Sequence, residues 1–114
     1  MRSVPFKVEV RGGFAEADGA AYVEEGLLVL EMQMTLFGLV KRKPQAFRFD
    51  LTDLESVEHR RGLFGDKLTL RTRPFDVIAG VPGAAEGKLC LRVARKHRAL
   101  LDVLLDRLDL WLVT

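Results

Sequence analysis

The side chains able to do acid–base or nucleophilic chemistry at neutral pH are His59, His97 and Cys90, and they are scattered in the 114-residue chain. General acid–base work needs titrating groups held together in a cleft, whereas these fall on three separate predicted elements: a strand, a terminal helix and a later strand. Cys90 stands between Lys88 and Arg92, cations of the kind that lower a thiol pKa. No base or oxyanion donor accompanies it, so the plainer reading is a small outward-facing side chain. Asp50, Asp53, Glu55 and Glu58 cluster without helical spacing, which suits solvated charges or hydrogen bonds at a chain corner. No His, Cys or Asp spacing resembles a metal site, and the glycines form no phosphate cradle. The sequence therefore predicts no enzyme, no cofactor and no metal.

Two connections carry a different pattern. Leu36-Phe37-Gly38-Leu39-Val40 runs into Lys41, Arg42 and Lys43, while Arg60-Arg61 runs into Leu63-Phe64 with Lys67 following. Apolar tips flanked by cations are what a loop needs to dip into an anionic bilayer, where each nearby Lys or Arg adds roughly 1 kcal/mol of attraction to hydrocarbon burial. The alternative is that Phe37 and Phe64 fold back under their own hairpins as lids on the core. Strands running strictly up and down would bring both tips to one end of the molecule; a sharp corner near Thr52-Asp53 would spoil that parity. Nucleic-acid binding would want aromatics among cations on an exposed sheet face, and Phe47 and Phe49 read as buried, so no nucleic acid is expected.

Length and 48% apolar content fit one domain spanning residues 1–114. The single cysteine cannot form an internal disulfide. Residues 1–10 alternate instead of forming a signal-peptide core, and no apolar run approaches the ~20 residues that cross a bilayer. These features predict a cytoplasmic protein, with peripheral membrane attachment as the alternative. The formal net charge is +2. It divides into net −3 over residues 1–37 and net +5 over residues 38–114, which makes a basic region if the later charges meet in space.

The elements that must position these residues follow from periodicity. Val4, Phe6, Val8 and Val10 alternate with polar neighbours in an opening strand. A weak or bulged strand over 14–22 with a turn at Asp18-Gly19 follows, then a tight turn at Glu24-Glu25-Gly26. Residues 27–34 bury Leu28, Leu30, Met32 and Met34, and place Leu27 and Val29 on an outer face that is either covered or used for self-association, together with Trp111 of the apolar tail. Phe47 to Arg73 reads as strand, corner, strand, tip at Gly62 to Asp66, strand. Phe75 to Ile78 reads as a short extended piece, and Lys88 to Val93 as the last strand. From Ala94 the period changes to about 3.6, with Leu101, Leu104, Leu105 and Leu108 on one face of an amphipathic helix. Arg95, Lys96 and Arg98 begin it at the positive end of the helix dipole, an arrangement that calls for acidic partners, expected from the N-terminal strands, or a bound anion.

Antiparallel strands followed by one terminal amphipathic helix, with the corner Phe49-Asp50-Leu51-Thr52-Asp53-Leu54-Glu55-Ser56-Val57 and the strand Leu68 to Thr72, resemble the pleckstrin-homology-like superfamily, in particular its bacterial pleckstrin-homology and GRAM-type members. The resemblance covers about residues 20–112. It implies a mainly β fold with one C-terminal α-helix: a bent antiparallel barrel of about seven strands, stoppered by the helix, with recognition at the rim away from the stopper. It further implies a non-catalytic binding or scaffolding module that recognises a protein or acidic ligand. A homo-oligomeric structural subunit and a peripheral binder of anionic lipid are the alternatives. The acidic Glu16 and Asp18 after Lys7 and Arg11 depart from members that bind phosphoinositides tightly, and Trp111 lies too near the end to match their helix tryptophan.

Overall fold

The computed structural model describes residues 2–10, 15–36, 39–40, 44–73 and 77–112. Its strands are β1 (Val4–Val10), β2 (Ala15–Glu24), β3 (Leu27–Leu36), β4 (Leu39–Val40), β5 (Gln45–Asp50), β6 (Leu54–Arg61), β7 (Gly65–Thr72) and β8 (Lys88–Ala94), followed by the helix α1 (Arg98–Leu112). All pair antiparallel in one sheet of order β4-β3-β2-β1-β8-β7-β6, with β5 pairing β3 alongside β4. The fold is thus mainly β with one C-terminal helix, as the alternation and the late change of period imply.

One face of the sheet is apolar because period two puts every second side chain there. Val4, Phe6 and Val8 of β1, Leu28 and Leu30 of β3, Leu68 and Leu70 of β7, and Leu89 and Leu91 of β8 are all buried. Leu101, Leu104 and Leu108 of α1 complete this core, one turn apart on the helix. The chain turns tightly from β2 to β3 because Glu25 and Gly26 both take positive φ, 51° and 79°, the backbone that a two-residue hairpin demands.

The corner between β5 and β6 is a 3₁₀ turn, Leu51–Asp53, started by Asp50, whose Oδ1 accepts from the Thr52 backbone N–H at 3.0 Å and its hydroxyl at 2.9 Å. The Leu51 N–H donates to Gly26 O at 3.1 Å and the Arg73 N–H to Asp53 O at 3.0 Å, so the corner ties together both margins of the sheet. Among the described residues β5 and β6 do not pair with each other, and the sheet stays unclosed at that seam.

Three expectations change. β2 runs unbroken through Asp18 and Gly19 with no turn there, in register with β1 and β3 over its whole length. Val77 to Gly80 belong to a loop and not to a strand, and Phe75 and Asp76 lie outside the described residues. Val29 does lie on the outer face, but it is buried, paired between Tyr22 and Arg48, while Leu27 is half-buried. A central strand covers such a residue with the larger side chains of its two neighbours, so Val29 is not available as an exposed surface for self-association.

Candidate functional site

β6 and β7 end in the four-residue tip Gly62 to Gly65, where Leu63 is 71% and Phe64 90% exposed. Phe64 therefore faces water and does not fold back as a lid. Arg60, Arg61 and Lys67 around it are exposed. Apolar side chains this open on a hairpin end are of the kind that mark contact sites.

The tip is fixed from beneath. Asp66, at the start of β7, is 2% exposed, because the alternation that buries Leu68, Leu70 and Thr72 puts it on the core face too. Arg98, the first residue of α1, donates to Asp66 Oδ1 from Nε at 3.0 Å and from Nη2 at 2.7 Å, and from Nη2 to Gly62 O at 2.6 Å. The ring of His59 on β6 meets Asp66 Oδ2 at 2.6 Å through Nε2. Arg95 adds a longer bond to Leu63 O, 3.4 Å. One carboxylate thus joins β6, β7 and the helix start, and it is the acidic partner that the basic helix start calls for. It comes from β7 and not from the N-terminal strands.

Burial pushes the Asp66 carboxyl up, but Arg98 and His59 together outweigh it and hold the group below its ordinary 3.8. The folded state then binds this proton less tightly than the unfolded chain does. Asp66 adds stability at pH above its ordinary pKa, and that share is lost as pH falls through the lowered folded value. Unfolding free energy measured against pH is expected to decline below about pH 5, less steeply in Asp66→Asn than in the parent. Equal slopes would mean that Asp66 titrates alike in both states.

A second feature adjoins the tip. On the outer face, one line of register crosses six strands: Gln33, Asp18, Lys7, Arg92, Lys67 and Arg60. Four neighbouring strands thereby carry cations about 4.8 Å apart. β1 and β8 share a single registered pair, Lys7 with Arg92, and a groove of about 790 Å³ opens here, walled by Pro5, Lys7, Asp18, Phe64, Lys67 and Lys96 among others. Arg92 reaches Glu9 at 3.2 Å and Glu16 at 3.6 Å. Asp18 Oδ1 and Arg92 Nε are buried without a hydrogen-bond partner, each an unmade bond of about 1–3 kcal/mol.

The described strand ends that lead into the two predicted contact tips, Leu36 of β3 and Arg61 of β6, lie at opposite ends of the sheet. β3 reaches β4 from Leu36, opposite Ala15 and hence beside Val10 at the end of β1. The β6–β7 tip lies beside Ala94 at the end of β8, on the side where β1 begins, against the start of α1. The corner at Leu51–Asp53 breaks the up-and-down parity, and the described tip sits at the helix end, not on the rim away from it. Phe37, Lys41, Arg42, Lys43 and the side chain of Trp111 lie outside the described residues.

Sequence reasoning found Arg60, Arg61, Leu63, Phe64 and Lys67 but missed Asp66, Arg98 and His59 as one cluster. Asp66 carried a signal in its period-two spacing from Leu68 and Leu70. Lys7, Arg92 and Lys96 carried none, since only the register brings them to the tip. His97 lines the groove and is half-buried. Among the described residues no three His, Cys, Asp or Glu side chains gather as a metal site, and no helix is long and apolar enough to cross a membrane. No protein-family description, curated protein or solved structure matches the chain.

Proposed function

We propose that the chain is a non-catalytic binding module of pleckstrin-homology-like type, acting in the cytoplasm, that engages an acidic surface of a protein partner through Leu63 and Phe64. The strand order supports the likeness: β1 lies between an N-terminal meander and a C-terminal meander, with one helix packed on the shared core. The observation that carries the reading is an apolar tip tied down at its carbonyls. Arg98 and Arg95 bond the carbonyls of Gly62 and Leu63 while both apolar side chains face water. A pre-ordered tip loses little entropy on binding, which favours affinity, and Arg60, Arg61 and Lys67 supply steering toward negative charge.

The same tip supports a second reading, insertion into an anionic bilayer, since hydrocarbon burial and basic attraction act together there. A photo-crosslinking amino acid placed at position 64 in the producing cells is expected to give a discrete protein adduct, and one placed at the exposed, distant Glu86 none. The Leu63→Ala/Phe64→Ala double variant is expected to keep its stability within about 0.5 kcal/mol, as surface changes do, and to lose at least about tenfold in partner affinity, since exposed aromatic anchors dominate such contacts. Equal adducts from positions 64 and 86 would reject the tip as the contact. Adducts to lipid alone would transfer it to the membrane reading.

A further inference from the structure

The groove beside the tip is polar in an ordered way. Phe64, Lys67 and Lys96 line its tip end, Lys7 its middle, and Asp18 with Gln33 its far end. Among the described residues no ion pair is formed by Lys7, Lys67 or Lys96, whereas Arg92 between them is held by Glu9 and Glu16. From β7 to β3 the line of register crosses four strand spacings, roughly 19 Å. That is the length of five or six extended residues at about 3.4 Å each.

From this, and resting on the tip as the contact surface, we infer that the groove binds an extended acidic segment of the protein partner. An apolar residue of the segment sits on Phe64, its carboxylates lie on Lys67, Lys96 and Lys7, and an N–H or ammonium donor at its other end meets the carboxylate of Asp18, which lines the groove. Lysines are flexible point charges that take a carboxylate in many geometries, so the groove reads charge order more than a fixed sequence. A bilayer is a plane and reaches the tip alone. The groove runs from the tip back along the sheet, and a flexible chain can follow both.

The probe is a fluorescein-labelled hexapeptide of phenylalanine, glutamate, serine, glutamate, serine and lysine, followed by anisotropy against the full chain. Saturable binding is expected, weakened at least about tenfold in Lys7→Ala/Lys67→Ala with a flatter salt dependence, and weakened also in Phe64→Ala. Replacing the peptide's lysine by serine is expected to lower affinity for the parent and to leave Asp18→Asn unaffected. No saturable binding at low salt, or equal affinity in Lys7→Ala/Lys67→Ala, would overturn the inference. Sedimentation with phosphatidylserine vesicles in place of peptide binding would overturn it too. The two readings fail separately. If the groove alone is wrong, the adduct from position 64 persists in Lys7→Ala/Lys67→Ala; if the tip is wrong, that adduct is absent and Phe64→Ala leaves peptide affinity unchanged.

Discussion

Replacing Asp66 by alanine is expected to destabilise the fold by about 3 kcal/mol, the lower end of what removing one member of a buried ion pair costs, since Asp66 is buried and the Arg98 left uncompensated is part-buried. In a domain of this size that is a fall of roughly 12 °C in melting temperature. The reason is that three donors from two elements converge on one carboxylate. Arg98 is bound to both Asp66 and Gly62, so losing the acid frees the guanidinium, the first turn of α1 and the tip together. His59→Ala, which leaves the Arg98 bonds in place, is expected to cost about 1 kcal/mol. Calorimetry of the two variants checks the order. An Asp66→Ala protein within 1 kcal/mol of the parent would show that desolvation of the charges cancels their attraction, and the tip would then be held by the Arg98 and Arg95 bonds to its carbonyls.

Gly19→Ala is expected to be the other severe change, at about 3–5 kcal/mol and with poor recovery of folded protein. A Cβ there would stand 1.8 Å from the Glu31 carbonyl oxygen and 2.9 Å from the Met32 Cα. Both are backbone atoms of the neighbouring strand, so no side-chain rotation makes room, and the β2–β3 ladder itself must part. Glycine in a strand interior is normally a liability; here it marks a close approach of two backbones. Urea unfolding of Gly19→Ala beside Ala20→Gly, one position along, separates crowding from loss of strand propensity. Similar midpoints for the two would reject the crowding account.

Gly19 also shows where the sequence was legible and where it was not. Local periodicity located the alternating strands β1, β3, β5, β7 and β8 and the helix, because a buried face repeats every second or every 3.6 residues whatever lies opposite. Gly19 beside Asp18 reads equally well as a turn, and only the carbonyl of Glu31 makes it a strand residue. The candidate site divides in the same way. Leu63 and Phe64 among cations are visible as a motif within one connection. Asp66 with Arg98 and His59, and Lys7 with Arg92 and Lys67, are products of register between segments up to 85 positions apart, as from Lys7 to Arg92, and no local pattern encodes that. The direction in which the tip points was likewise hidden, since it depends on how a three-residue corner turns the chain.

The unclosed seam has a consequence for how the protein keeps to itself. Among the described residues β6 pairs with β7 alone and ends the sheet, the kind of margin on which foreign strands grow into fibrils. Glu55, Glu58, Arg60 and Arg61 are exposed along it, so a parallel copy stacked in register would set each charge against its like, which disfavours amyloid-like growth at that border.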